Sequence, residues 1–128
     1  MLKCTVTITT AVDGKENKIS REGELLLENN RAELLYTEEN AVTRISFVGG
    51  VATVTRQGDY SLSLIFKKGE TTGGTLGLGG AQGEIYTRTE RLGYSIGDSS
   101  FMLFARYDLL TAGGEPQKMK IRVFAKAH

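Results

Sequence analysis

Apolar residues recur at every second position through most of this chain. Cys4, Val6 and Ile8 alternate with Lys3, Thr5, Thr7 and Thr9. The same alternation runs through Tyr60, Leu62, Leu64 and Phe66, through Phe101, Leu103, Ala105, Tyr107 and Leu109, and through Met119, Ile121, Val123 and Ala125. Period two puts one set of side chains on one face of a strand, so each run reads as a half-buried strand. Threonine is β-branched and suits strands, and its clusters at Thr5–Thr10 and Thr71–Thr75 point the same way.

Short turn signals separate the runs. Asp13-Gly14, Gly49-Gly50, Gln57-Gly58, Lys67-Lys68-Gly69 and Gly97-Asp98-Ser99 each fall between two alternating segments, and Gly113-Gly114-Glu115-Pro116 reads as a wider loop. Asp-Gly is a strong hairpin signal because both central residues must take positive φ. Consecutive strands joined by tight turns make an antiparallel meander. A meander of roughly eight to ten strands must hide two edges, and closure into a barrel does so most completely. A sandwich would need longer crossovers than most of these turns supply. The expectation is an all-β fold, one closed antiparallel meander barrel over residues 1–128 as a single domain.

One segment is ambiguous. Residues 22–39, EGELLLENNRAELLYTEE, are rich in helix formers. At the helical period, however, Leu25, Leu26, Leu27, Ala32, Leu34, Leu35 and Tyr36 scatter around the whole wheel and form no stripe. As two strands meeting at Asn29-Asn30, Leu25 and Leu27 share a face, and so do Ala32, Leu34 and Tyr36. Asparagine tolerates the left-handed turn conformation. Strand-turn-strand is the reading.

The glycine-dense stretch GGTLGLGGAQGE, Gly73 to Glu84, raises the question of a phosphate loop. Gly74 and Gly79 have P-loop spacing, but Gly80-Ala81 stands where the lysine and the hydroxyl must be. The dinucleotide fingerprint fails as well, since Gln82 takes the place of its third glycine and no helix follows. The stretch reads instead as a corner between two strands. Gly77, Gly79 or Gly80 should take positive φ or form a bulge there, with Leu76 and Leu78 as anchors.

Side-chain chemistry is sparse. The single histidine is His128 and the single cysteine is Cys4. A Ser-His-Asp or Cys-His site would have to use that terminal histidine, and zinc would lack ligands, so no metal and no cofactor are expected. Cys4 sits beside Val6 on an apolar face and reads as a small core residue; one thiol makes no internal disulfide. Carboxylates abound at Glu22, Glu24, Glu84, Glu90, Asp98 and Asp108, yet nothing pairs two of them, so a carboxylate-based hydrolase is the third-ranked reading. No catalytic residue is assigned, and the chain reads as a non-enzyme.

Sixteen Lys plus Arg against fifteen Asp plus Glu leave a net charge of +1. That balance argues against bulk-electrostatic binding of nucleic acid and against a polybasic membrane anchor. No apolar run reaches the ~7–15 residues of a signal sequence or the ~18 of a membrane helix, so a cytoplasmic, non-membrane protein is expected.

The informative signal is charge sharing parity with apolar residues. Arg21 shares parity with Ile19, Leu25 and Leu27. Arg88 and Glu90 share parity with Tyr86, Leu92, Tyr94 and Ile96. If both strands keep register, these charges point into the barrel, where an Arg88–Glu90 or Arg21–Glu90 pair would mark a polar ligand site. A bulge near Gly23, or a barrel mouth open to water, would explain the same parity.

The second half carries TGGTLGLGGAQGEIYTRTERLGYS, then a strand ending in ARYDL, then PQKMKIRV. With Gly83-Glu84 leading into Thr87 and Thr89, and with Tyr107-Asp108 late in a strand, this pattern resembles the YwiB-like family of bacterial proteins of unknown function. The resemblance covers nearly the whole chain. It implies a calycin-like, lipocalin-like barrel and carries over no catalytic residue.

Two classes of function then compete. In the first, the barrel is a binding module that holds a small molecule in its interior or mouth, with Arg21, Tyr86, Arg88, Glu90 and Tyr94 lining the site. In the second, the barrel is solid and its outer wall contacts a protein partner or a second copy as a homodimer. Phe104 supports that alternative, because it shares a face with Arg106 and Asp108.

Overall fold

The computed structural model describes residues 1–128, and all of its regular structure is strand. The strands are β1 (Leu2–Val12), β2 (Lys15–Glu28), β3 (Arg31–Glu38), β4 (Ala41–Val48) and β5 (Val51–Gly58). They continue as β6 (Tyr60–Lys67), β7 (Thr71–Leu78), β8 (Ala81–Ile96), β9 (Ser100–Thr111) and β10 (Gln117–Ala127). Each strand pairs antiparallel with its neighbours in sequence, and β1 pairs with β10 to close the barrel. The meander and its closure are as the turn spacing predicts.

Three hairpins use two-residue turns with both φ values positive. Asp13-Gly14 (49° and 87°) joins β1 to β2, Gly49-Gly50 (61° and 80°) joins β4 to β5, and Gly79-Gly80 (59° and 84°) joins β7 to β8. Such turns match the right-handed twist of the flanking strands. The ambiguous segment is strand-turn-strand, with Asn30 at φ 62° between β2 and β3.

The glycine-dense stretch is therefore a hairpin, with Gly79-Gly80 at its tip. Gly77 is not left-handed. It lies in regular β7 pairing, and a side chain there would collide with the Ser61 hydroxyl. Leu76 and Leu78 are exposed and anchor nothing. A second correction concerns Gln57-Gly58, which stays in β5; the chain reverses at Asp59. Gly58 faces Ala41, and a Cβ there would strike the Asn40 carbonyl. Its role is close strand approach rather than a turn.

The barrel centre is filled. A core of 21 buried apolar residues draws on every strand except β7, with Phe47, Phe66 and Phe101 among the largest fully buried side chains. The Phe66 and Tyr107 rings meet at 4.6 Å. An interior ligand chamber is thus corrected to a packed core, and what remains open is at the two mouths and on the outer wall.

Candidate functional site

β8 decides where most of the expected site residues lie. Thr89 pairs with Tyr107, but the next pair is Arg91 with Arg106, so Glu90 is an extra residue in a β-bulge. A bulge reverses the alternation of every residue beyond it. Before the bulge Ile85, Thr87 and Thr89 point inward and are buried. After it Leu92, Tyr94 and Ile96 take the inward face, opposite Ala105, Leu103 and Phe101.

Tyr86, Arg88 and Glu90 therefore sit on the outer wall, contrary to the sequence expectation. The Arg88 guanidinium donates to Asp108 at 2.6 Å, its direct cross-strand neighbour, and not to Glu90. The Tyr86 hydroxyl donates to Glu84 at 3.0 Å, and that bond to a carboxylate raises the phenol pKa. Glu90 lies 4.0 Å from Arg106.

Arg21 does lie on the inner face, opposite Val6, at the mouth beside the β3–β4 and β5–β6 turns. Its partner is Glu38 at 4.0 Å, and it also donates to the Ser20 carbonyl at 2.9 Å. Arg56 comes up beside it with only 15% of its side chain exposed. It donates to the Asp59 carboxylate and the Tyr60 carbonyl, both at 2.8 Å, and stacks 3.7 Å from the centroid of the Tyr60 ring. The Arg56 hydrogen bond holds the Asp59 carboxyl below the usual carboxylate range. Burial raises the Tyr36 phenol pKa; the Thr43 side chain and both arginines pull the other way. Around Arg21 and Arg56 the charged groups are paired with carboxylates of the neighbouring turns.

The opposite mouth is different. Tyr94 stacks on Phe47, with ring centroids 4.1 Å apart and planes tilted by 33°. Phe47 is 2% exposed and Tyr94 53% exposed, so one ring is locked in the core and the other offers a face to solvent. A cavity of about 570 Å³ opens beside Tyr94. Its apolar lining is Leu27, Tyr94 and Ile96, and Glu28, Asn29, Asn30, Gly97 and Asp98 complete its wall. These residues come from the ends of β2 and β8 and from the turns that follow them. Strand alternation identifies Tyr94 and Ile96. That Leu27, Phe47 and Asp98 join them depends on how the barrel closes, which no local pattern reports.

Arg21 and Tyr94 thus lie at opposite ends of the barrel, and no two of the five expected residues form one site. No group of three or more His, Cys, Asp or Glu is placed to hold a metal. Cys4 is buried, and burial is the main cause of its raised thiol pKa. His128 lies 3.2 Å from Glu22 and 2.8 Å from the Thr5 hydroxyl. Phe104 is on the outer wall as expected, near the exposed Met102 and Phe124. No helix is long and apolar enough to cross a membrane.

Comparison with known proteins agrees with the fold. A family model described as "Domain of unknown function (DUF1934)" matches residues 3–123. The solved structure of the ywiB protein from Bacillus subtilis is similar, with a TM-score of 0.84 at 17% identity, over 99% of this chain and 92% of that one. At that identity the likeness speaks to the fold alone. No curated protein matches. The YwiB-like resemblance read from the second half of the chain is borne out by both matches.

Proposed function

The chain belongs to the family described as "Domain of unknown function (DUF1934)", and on that premise we propose that it is a non-catalytic binding module whose ligand sits at the Tyr94 mouth. The observation that carries this reading is the half-exposed Tyr94 ring fixed on buried Phe47. A ring held from behind keeps its free face ready for a ligand without ordering on binding. The cavity of about 570 Å³ falls within the roughly 300–1,000 Å³ of small-molecule sites, and it joins an apolar floor to a few polar groups.

The wall chemistry favours a particular class of ligand. Glu28 is answered by Arg31 at 3.7 Å, whereas Asp98 has no ion-pair partner. Tyrosine faces attract cations. The site suits a small molecule with a flat apolar body and a positive or hydrogen-bond-donating end. Phenyltrimethylammonium is a fitting probe. In a backbone amide NMR titration its shifts should centre on Leu27, Tyr94, Ile96 and Asp98 and be lost in Tyr94→Ala. Shifts centred elsewhere, or none, would refute the site. Native mass spectrometry of protein from its own host would then identify the natural ligand.

Exposed Met102 and Phe124, with half-buried Phe104 beside them, support a second reading, self-association through the outer wall. Met102 and Phe124 face each other across β9 and β10. Sedimentation velocity tests this directly: a concentration-dependent dimer that Phe124→Ser abolishes would favour it, and a monomer throughout would dismiss it.

A further inference from the structure

We propose that the outer wall of β9 and β10 carries a second site, for a multivalent oxyanion, built on Arg106, Lys120 and Arg122. It lies outside the barrel and is independent of the Tyr94 mouth. Lys120 pairs directly with Arg106 across β10 and β9, and Arg106 pairs directly with Arg91 across β9 and β8. Three cations thus stand in one cross-strand row. Like charges in facing positions destabilise a sheet. Such a row is tolerable when an anion answers it.

The protein's own carboxylates, Glu90 beside Arg106 and Glu16 at the edge, answer it only in part. Six of the eight arginines have a carboxylate within 4.0 Å, and the two without one are Arg122 on this wall and Arg91 next to it on β8. Arg106 has only Glu90 at 4.0 Å, too far for a hydrogen bond, and its Nε–H is buried with no acceptor. A buried guanidinium donor without a partner is costly.

The surface there is concave. A hollow of about 220 Å³ is lined by Arg106, Lys120 and Arg122 with Phe104, and Glu16 is its one carboxylate. Arg122 lies 5.7 Å from the centroid of the Phe104 ring, which braces its guanidinium. Glu16 forms no ion pair, and Ala11 separates it from Lys120 in the ladder. Two guanidinium forks and an ammonium around a hollow of this size suit phosphate or clustered carboxylate oxygens.

The test is an amide NMR titration of the whole chain at low salt with inorganic pyrophosphate, and in parallel with citrate. Saturable shifts confined to residues 104–106 and 120–122, with a midpoint of about 1 mM or tighter, are expected. Arg106→Gln should weaken binding about tenfold. Without anion the same variant should have a higher thermal midpoint than the parent, because like-charge repulsion is relieved. Arg122→Gln is the second variant, should Arg106→Gln fail to fold, and Lys68→Gln should change nothing. Binding of pyrophosphate alone assigns a phosphate ligand, and equal binding of citrate assigns multivalent oxyanions of either kind. No saturable shift, shifts spread over all surface lysines, or full affinity in Arg106→Gln would overturn the proposal.

Discussion

Tyr94 stacks on Phe47 at 4.1 Å, joining an exposed ring of β8 to a buried ring of β4 across the mouth of the barrel. The two rings should respond differently to truncation. Phe47→Ala removes a core side chain and should destabilise by about 3–5 kcal/mol. Tyr94→Ala loses only an aromatic contact at the rim, about 0.5–1.5 kcal/mol. Urea unfolding measures both. Under the binding reading, Tyr94→Ala should keep a well-dispersed NMR spectrum while its affinity for phenyltrimethylammonium falls. Equal loss of stability in the two variants would make Tyr94 a core residue and remove it from the site.

Tyr107 should make the barrel sensitive to alkali. Burial alone pushes its phenol pKa up to about 12. An unfolded tyrosine ionises near pH ~10. Between those values the unfolded chain releases a proton that the folded chain keeps, so stability is full below about pH 10 and falls as pH rises toward 12. A shift of this size corresponds to roughly 3 kcal/mol. Tyr36, also raised by burial, contributes in the same direction. Tyr107→Phe should flatten much of the decline in urea midpoint across that window. An unchanged decline would place its origin in Tyr36 or elsewhere.

Glu90 matters as an inserted residue more than as a carboxylate. The bulge lets Ile85, Thr87 and Thr89 face inward on one side and Leu92, Tyr94 and Ile96 on the other. Deleting Glu90 would force one of these sets outward, and the product should show no cooperative unfolding. Glu90→Ala keeps the count and should change stability by no more than about 0.5 kcal/mol. A deletion variant as stable as the parent would show that the ladder can re-register.

The same residue marks the limit of what alternation reveals. The strands were legible because Cys4, Val6 and Ile8, or Phe101, Leu103 and Ala105, repeat without interruption. Their turns were legible because Asp13-Gly14 and Gly49-Gly50 carry the chemistry that positive φ demands. A one-residue insertion within an unbroken strand leaves no mark in the sequence, so alternation alone puts Arg88 and Glu90 inside with Leu92 and Tyr94. Gly58 misled for a related reason: glycine serves both sharp turns and close strand approach, and the letter is the same. The Tyr94 mouth was half legible, since Tyr94 and Ile96 follow from alternation while Leu27 and Phe47 arrive only through barrel closure.

Thr87 and Thr89 offer a sharp test of the packed interior. Both are 1% exposed, and neither hydroxyl has a hydrogen-bond partner in the protein. A buried unsatisfied hydroxyl costs about 1–3 kcal/mol, and an apolar group of the same shape avoids that cost. Thr87→Val and Thr89→Val should each raise stability by about 1 kcal/mol, seen as a higher urea midpoint with an unchanged slope. Thr43 is the control. It is buried too, but it faces Tyr36 directly across β3 and β4, its side chain pulls the phenol pKa down, and its hydroxyl is not among the unpartnered ones. Thr43→Val should therefore destabilise. If the valines at 87 and 89 destabilise as much as the one at 43, the two hydroxyls are bonded in solution and the interior holds more than side chains.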